Sequence, residues 1–291
     1  MGATETEIQA LARDAEDAAG EAARSSGVVI ELLRDHEHVD AMEVLLDEVW
    51  SIDDQPMMPA PVIMALVHAG NYVSGAFADG KLVGGSLGFL GRGDQKLHLH
   101  SHVTGVASSM QSRSVGFALK QHQRAWALGQ GLDSVIWTFD PLVRRNGYFN
   151  ISKLGAEIID YKPDFYGVMK DGINRGDESD RCVVRWAVAS PRAAAAARRK
   201  SPETTVDPTQ SHELLAASPD GEPVMTREHA PTLSVFVPSD IVHTRREDPA
   251  RAARWRQVLR EACTWAFSEG YAVTGMTRSG CYVFSRSAKS A

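Results

Sequence analysis

The 291 residues are 43% hydrophobic and 23% charged, ordinary globular proportions that allow one large domain or two smaller ones. With 31 Lys and Arg against 37 Asp and Glu, the net charge of -6 disfavours nucleic-acid binding as a global property, and no nucleic-acid partner is expected. No apolar stretch reaches the roughly 18 to 20 residues of a membrane span, and the first segment is acidic and alanine-rich rather than leader-like, so a cytoplasmic chain with no membrane partner is expected.

Apolar and acidic positions alternate at helical spacing over residues 4 to 24, until Ser25, Ser26 and Gly27 break the pattern. Val28 to Leu33 reads as a strand, and Asp35 is placed to cap a helix whose apolar positions run from Val39 to Trp50. A proline-rich loop is expected over Gln55 to Pro61. Tyr72 to Ala78 and Lys81 to Leu90 form an expected hairpin, because Asp79-Gly80 accepts the positive φ of a tight turn.

Leu97 to Val106 continues the alternation, Arg113 to Leu128 carries a helical pattern, and Ser134 to Phe139 is a short apolar strand. Strand, helix, strand predicts a parallel crossover here. Arg144 to Leu154 reads as a helix stopped by Gly155, followed by strands at Glu157 to Tyr161 and Arg181 to Ala189. From Pro191 to about Glu228 periodicity gives way to alanine, proline, serine and charge, predicting a linker or elaborate loop. Leu233 to Val237, a helix over Pro249 to Ser268, Tyr271 to Thr277 and Cys281 to Phe284 complete a smaller α/β unit, with no internal repeat along the chain. The expected organisation is an N-terminal helical extension (1–27), a main domain (28–190), a linker (191–228) and a small C-terminal α/β module (229–291).

The most informative stretch is Gly105 to Lys120, where a strand ends and a small-residue loop opens into a helix. The first N–H groups of a helix are unpaired and carry partial positive charge, so a pyrophosphate can rest on them; a loop that merely caps the helix reads the same way. Three cysteines, Cys182, Cys263 and Cys281, form an odd set without C-x-x-C spacing, which argues against a disulfide framework and a zinc site.

In its context the loop resembles the signature of the GNAT superfamily of acyltransferases, Q/R-x-x-G-x-G/A, with Gln111, Ser114 and Gly116 at the three signature positions. Ser152 to Ala156 is similar to a further family segment. The runs LHSHVTGV (Leu99 to Val106), LK..QR (Leu119 to Arg124), WTFDPL (Trp137 to Leu142), KLGA, DFYG, NRG and SDR are similar to one bacterial subfamily, some members of which accompany N-succinylamino-acid racemases and succinylate amino acids. The likeness covers roughly residues 28 to 190. It implies an α/β GNAT fold, a mixed and mostly antiparallel sheet whose strands at Leu97 to Val106 and Ser134 to Phe139 splay apart. The exposed strand edges can pair with the pantetheine arm of an acyl-CoA, acetyl- or succinyl-CoA, and the phosphates would rest on Gly105, Val106 and Gln111 to Gly116, that is Gln111, Ser112, Arg113, Ser114, Val115 and Gly116.

Serine replaces the usual glycine at Ser112 and Ser114, which costs roughly 1 to 2 kcal/mol each if those positions need positive φ. The hydroxyls can instead donate to phosphate, or the acyl group can arrive on the phosphopantetheine of an acyl carrier protein, with no adenosine diphosphate to hold.

His98, His100 and His102 alternate along one strand and share a face, and an unperturbed histidine near pH ~6.5 suits proton removal from an attacking ammonium. The same spacing suits a polar cluster within the sheet; no metal is expected, because no carboxylate or cysteine stands at ligand spacing. The resemblance favours His100 and His102. The family's usual acid position is Ile151, and Tyr148 lies one turn earlier on the same helical face. Asp140, Arg144, Arg145, Arg175 and Arg181 are candidates to hold substrate, and Asn146 and Asn150 to contact donor or substrate, with helix capping an alternative for Asp140. The acceptor implied is a small amino-acid-like amine. A binding module that kept the fold without the chemistry is the reading from another class. Residues 229–291 could extend the sheet, cover the acceptor pocket or build a homodimer contact.

Overall fold

The computed structural model describes residues 5–50, 56–93, 96–167, 169 and 177–286. In chain order the elements are α1 (Glu5–Ser26), β1 (Val29–Leu32), α2 (His36–Trp50), α3 (Ala60–His68), β2 (Tyr72–Ala78), β3 (Lys81–Gly93) and β4 (Lys96–Val106). A 3-10 turn at Ser108–Met110 leads to α4 (Val115–Gly129), β5 (Ser134–Phe139), α5 (Arg144–Tyr148), a π-helical turn at Phe149–Lys153, β6 (Glu157–Lys162) and β7 (Arg181–Ala187). Then follow α6 (Pro191–Ala197), β8 (Ser211–Ala217), β9 (Pro223–Met225), β10 (Thr232–Phe236), α7 (Ile241–Glu247), α8 (Pro249–Ser268), β11 (Tyr271–Met276) and β12 (Cys281–Arg286). The chain groups into two compact units, Met1–Trp137 with Trp186–Arg198, and Thr138–Arg185 with Arg199–Ala291.

In the first unit, β1 to β4 form an antiparallel meander and β5 joins β4 in parallel. The β2–β3 turn is the expected Asp79-Gly80, with φ of 48° and 73°. Asp35 accepts from the His38 N–H at 3.0 Å, capping α2 as expected. One face of the meander packs on α2 and α3 through Leu33, Val39, Met42, Leu46, Ile63, Val73, Leu87 and Val103. The other face packs on α4 through Val28, Ala76, Met110, Val115 and Leu119. Each buried Val, Leu, Ile or Met side chain among them contributes roughly 1.5–3 kcal/mol. Glycines in β3 let the helices come close: a Cβ at Gly84 would stand 3.2 Å from Val115 and Leu119 of α4, and one at Gly85 3.1 Å from Met42 of α2. Against α4 lies α1, which buries Ala15, Ala18, Ala19 and Ala22 and is tied by Asp14 to Arg198 at 2.6 Å.

In the second unit, β6 and β7 pair antiparallel, and a five-stranded sheet runs β11-β12-β10-β8-β9. Its β8 and β10 are parallel, a pairing between segments whose sequence predicts only one strand. Two buried aspartates hold α7 and α8. Asp140 takes a two-pronged bond from Arg256, at 2.8 Å for each nitrogen, and Arg256 reaches Asp177 at 2.9 Å. Arg245 donates to both carboxylates, so two anions balance two cations away from water. Burial alone would raise the Asp140 pKa, but Arg256 and Arg245 outweigh it and hold the carboxyl well below the usual range. Beside this group Asp180 accepts from Arg260 at 2.9 Å and from the Tyr161 hydroxyl at 2.6 Å.

Several expectations are corrected. The segment read as a proline-rich loop contains the start of α3, whose Pro61 stands in the first turn, where no intrahelical N–H bond is lost; Gln55 itself lies outside the described residues. Residues 191–228, read as irregular, contain α6, β8 and β9, and α7 is a helix the periodicity does not announce. The helix expected over Arg144 to Leu154 loses its α pitch at Phe149 and ends as a π turn before Gly155, whose φ is 73°.

Candidate active site

Strands β4 and β5 pair at two positions only, Leu99 with Val135 and His100 with Ile136. Beyond His100, β4 continues to Val106 while remaining bonded to β3 on its other side. The separation begins at a bulge: Leu87 pairs with Val103 and Gly88 with Ser101, so His102 is the extra residue. An unpaired residue increases local twist and re-aims the strand. Gly88 is fitted to this place, because a Cβ there would stand 2.9 Å from the His100 carbonyl oxygen. The splay implied by the family resemblance is therefore present, and the β4 edge from Ser101 to Val106 offers backbone groups to an extended ligand.

The loop at the end of β4 is pinned by Met110, buried to 8% exposure, while Gln111, Ser112 and Arg113 are exposed. Ser112 and Ser114 both adopt left-handed backbone, φ 70° and 65°, the conformation for which glycine is the usual residue. Ser114 precedes α4 without a side-chain cap bond. Its carbonyl accepts from Phe117 and Ala118 N–H, each at 3.0 Å, which leaves the Val115 and Gly116 N–H groups directed outward from the helix start. A Cβ at Gly116 would meet only Val106, at 3.8 Å. Gly105, by contrast, is required by packing, since a Cβ would lie 2.8 Å from the Trp50 ring.

His100 and His102 share a face of β4 with Phe89 between them: ring centroids lie 5.0 Å from Phe89 to His100, 5.8 Å from Phe89 to His102, and 6.2 Å between the histidines. The unperturbed titration expected from sequence is corrected. Burial, followed by the charges of His102, His98 and Lys120, brings His100 down to about 4, and partial loss of solvent lowers His102 as well. Both are therefore neutral near pH 7, proton acceptors of reduced basicity. Among the described residues no group of three or more His, Cys, Asp or Glu side chains is arranged to hold a metal ion.

The remaining candidates belong to the second unit. Asp140 is placed among substrate-binding or helix-capping candidates by sequence, but its carboxylate is occupied by Arg245, Arg256 and the Leu142 N–H at 2.9 Å, a structural role in the turn before α5, whose N-cap is Val143. Arg144 donates to the Arg278 carbonyl and packs on Gly280. Arg181 is buried, donating to the Asp180 carbonyl at 2.9 Å and lying 5.3 Å from the Tyr166 ring centroid. Arg145 is exposed, Arg175 lies outside the described residues, and the NRG motif with it. Tyr148 and Asn146 are half-buried on α5; Asn150 is buried in the π turn, its carbonyl accepting from Ala156 N–H at 3.0 Å. Cys182 and Cys263 are buried, and burial pushes the Cys263 thiol up to about 12.

Sequence reasoning passed over Lys120, which is 4% exposed and donates to Ser101 Oγ at 2.8 Å and Gln123 Oε1 at 3.0 Å. The available signal was its helix: α4 buries Lys120, Gln121, Gln123 and Arg124 along with its apolar positions, so the polar residues had to face an interior.

No protein-family model matches the chain, and no curated protein sequence matches it. Among solved structures it is similar to an N-acetyltransferase from Staphylococcus aureus Mu50, at 11% identity and a TM-score of 0.47 over 55% of this chain and 98% of that one. An acetyltransferase of GNAT family from Streptococcus pneumoniae matches at 13% identity and a TM-score of 0.46, over 54% of this chain and 98% of that one. An aminoglycoside acetyltransferase from an uncultured soil metagenomic sample, solved with sisomicin, matches at 19% identity and a TM-score of 0.36, over 39% of this chain and 78% of that one.

Proposed function

We propose that this protein is an N-acyltransferase that moves an acyl group from a pantetheine thioester to the amine of a small amino-acid-like molecule. The observation that carries the reading is the opening between β4 and β5 next to an anion-ready helix start. An extended tether can bond to the free edge of Ser101 to Val106, while its phosphates rest on the N–H groups of Val115 and Gly116. The carbonyl carbon is then attacked directly by the amine, and positioning supplies much of the rate. His100 and His102 accept the proton lost by the nitrogen, directly or through water.

An acyl-CoA donor is the first reading. A donor carried by an acyl carrier protein is favoured by one observation: Ser112 and Ser114 hold the strained backbone that glycine would adopt freely, with side chains where a pyrophosphate would approach. Mass spectrometry after incubation with acetyl-, malonyl- and succinyl-CoA and pooled amino acids tests the activity. The expected outcome is an amide of the added acyl mass together with free thiol. Donor binding without any amide would favour a binding module, and turnover only with a loaded carrier protein would favour the second donor. Gly116→Asp is expected to weaken donor binding at least tenfold, because it sets charge against the phosphates; unchanged affinity by calorimetry would refute the loop assignment.

A further inference from the structure

We propose that the Ser101 hydroxyl and the Lys120 ammonium form a proton-donating pair for the thiol that leaves during acyl transfer. The inference rests on the acyl-transfer reading above and fills the role left open by Ile151. Ser101 is the first β4 residue beyond the last β4–β5 pair, and Trp137 the first β5 residue beyond it. Lys120 touches both: its Nζ lies 2.8 Å from Ser101 Oγ and 4.1 Å from the centre of the Trp137 ring. The lysine therefore stands at the apex of the opening, on the α4 side of the sheet. The five strand rises from Ser101 to Val106, at ~3.3 Å each, give an extended tether a run of ~17 Å. With its phosphates at the start of α4, the thioester end falls at that apex.

The surroundings of Lys120 are unusual for a structural lysine. It is buried, and among the described residues no carboxylate pairs with it; its partners are Ser101, Gln123 and the Trp137 face. Gln123 continues the network to Ser86 Oγ at 3.4 Å, and Ser86 to Thr104 Oγ1 at 2.9 Å. On β4 the Lys120 charge opposes protonation of His100. On β2 the Tyr72 hydroxyl is engaged instead with His122 Nδ1 at 2.9 Å. Burial lowers Lys120 from the ordinary lysine range to about 7, which makes its ammonium a stronger acid than an ordinary thiol near pKa ~8.5. Perturbed groups with a specific geometry in a cleft are candidates for proton transfer.

The step balances as follows. The amine lone pair forms the C–N bond, the C–S bond breaks with its electron pair on sulfur, and the Ser101 hydroxyl gives that sulfur a proton. Lys120 replaces the serine proton and later regains its own from water, while the nitrogen's proton leaves through the histidine face. The sum is thioester plus amine to amide plus thiol.

The test compares wild type with Lys120→Met, Lys120→Arg and Ser101→Ala, using acetyl-CoA and whichever amine the product screen identifies. Wild-type kcat is expected to fall as pH rises through about 7, where the ammonium is lost. Lys120→Met should lower kcat by ~10²- to 10⁴-fold, abolish that alkaline limb and leave acetyl-CoA affinity by calorimetry within a few-fold, which also shows that the variant folds. Ser101→Ala should lower kcat in the same direction, and Lys120→Arg should restore part of the rate with the limb moved beyond the measurable range. Lys120→Met with near wild-type kcat, or with a reduced kcat on an unchanged pH profile, would overturn the pair while leaving acyl transfer standing. A wild-type protein that turns over no thioester would remove both.

Discussion

Ser112 and Ser114 occupy backbone that L residues enter at a cost of roughly 1–2 kcal/mol, and the Ser114 side chain makes no cap bond to α4. Ser112→Gly and Ser114→Gly are each expected to raise stability by ~0.5–1 kcal/mol, read from the denaturant midpoint at unchanged slope. An unaltered or lower midpoint would mean that the hydroxyls hold the loop. Lys120 makes a prediction of opposite character. Its folded pKa of about 7 lies below the ordinary ~10.4, so between those values the unfolded chain binds a proton that the folded chain does not. Stability therefore rises with pH across that window. Lys120→Met should be more stable than wild type below about pH 7, by at most about 5 kcal/mol, with the gap closing towards pH ~10.4. Equal stability across that range would show the lysine to be better solvated than its geometry implies.

Helices α7 and α8 are held by the buried Asp140, Asp177, Arg245 and Arg256 group, in which removing one member strands charge away from water. Arg256→Met is expected to cost ~3–5 kcal/mol of the second unit's stability, measured by chemical unfolding, and a loss below ~1 kcal/mol would show that Arg245 alone satisfies both carboxylates. Because the Asp140 pKa is depressed in the folded chain, its contribution is present above the unfolded value of ~3.9 and is lost as pH falls below it. Sequence reveals elements of this kind unevenly. The Asp79-Gly80 hairpin and α8 follow from local rules, turn chemistry in one and an aspartate-proline start in the other, and both lie where expected. The parallel β8–β10 pair depends on partners distant in sequence, and α3 begins among prolines that also spell a loop. The partnership of Asp140 with Arg256 spans 116 positions, so the sequence offered Asp140 for substrate or for a helix cap and could not show the ion pair that occupies it.

At the scale of the molecule, the proposed function depends on how far two strands stay together. β4 is readable from alternation and β5 as a short apolar run, but neither sequence states that pairing ends after His100 and Ile136. That end is set jointly by the His102 bulge, the room at Gly88 and the packing of α4 beneath. The loop was legible because signature spacing and a strand-to-helix junction coincide at Gln111 to Gly116; the buried lysine beneath it was not, because its partners Ser101 and Trp137 come from two other strands. Hydrogen exchange followed by mass spectrometry, with and without saturating acetyl-CoA, examines the opening itself. Amides of Ser101 to Val106 and of Ser112 to Phe117 are expected to gain protection together when donor is present. Unchanged exchange in both segments, with donor bound elsewhere or not at all, would contradict the opening between β4 and β5 as the place where a thioester is held.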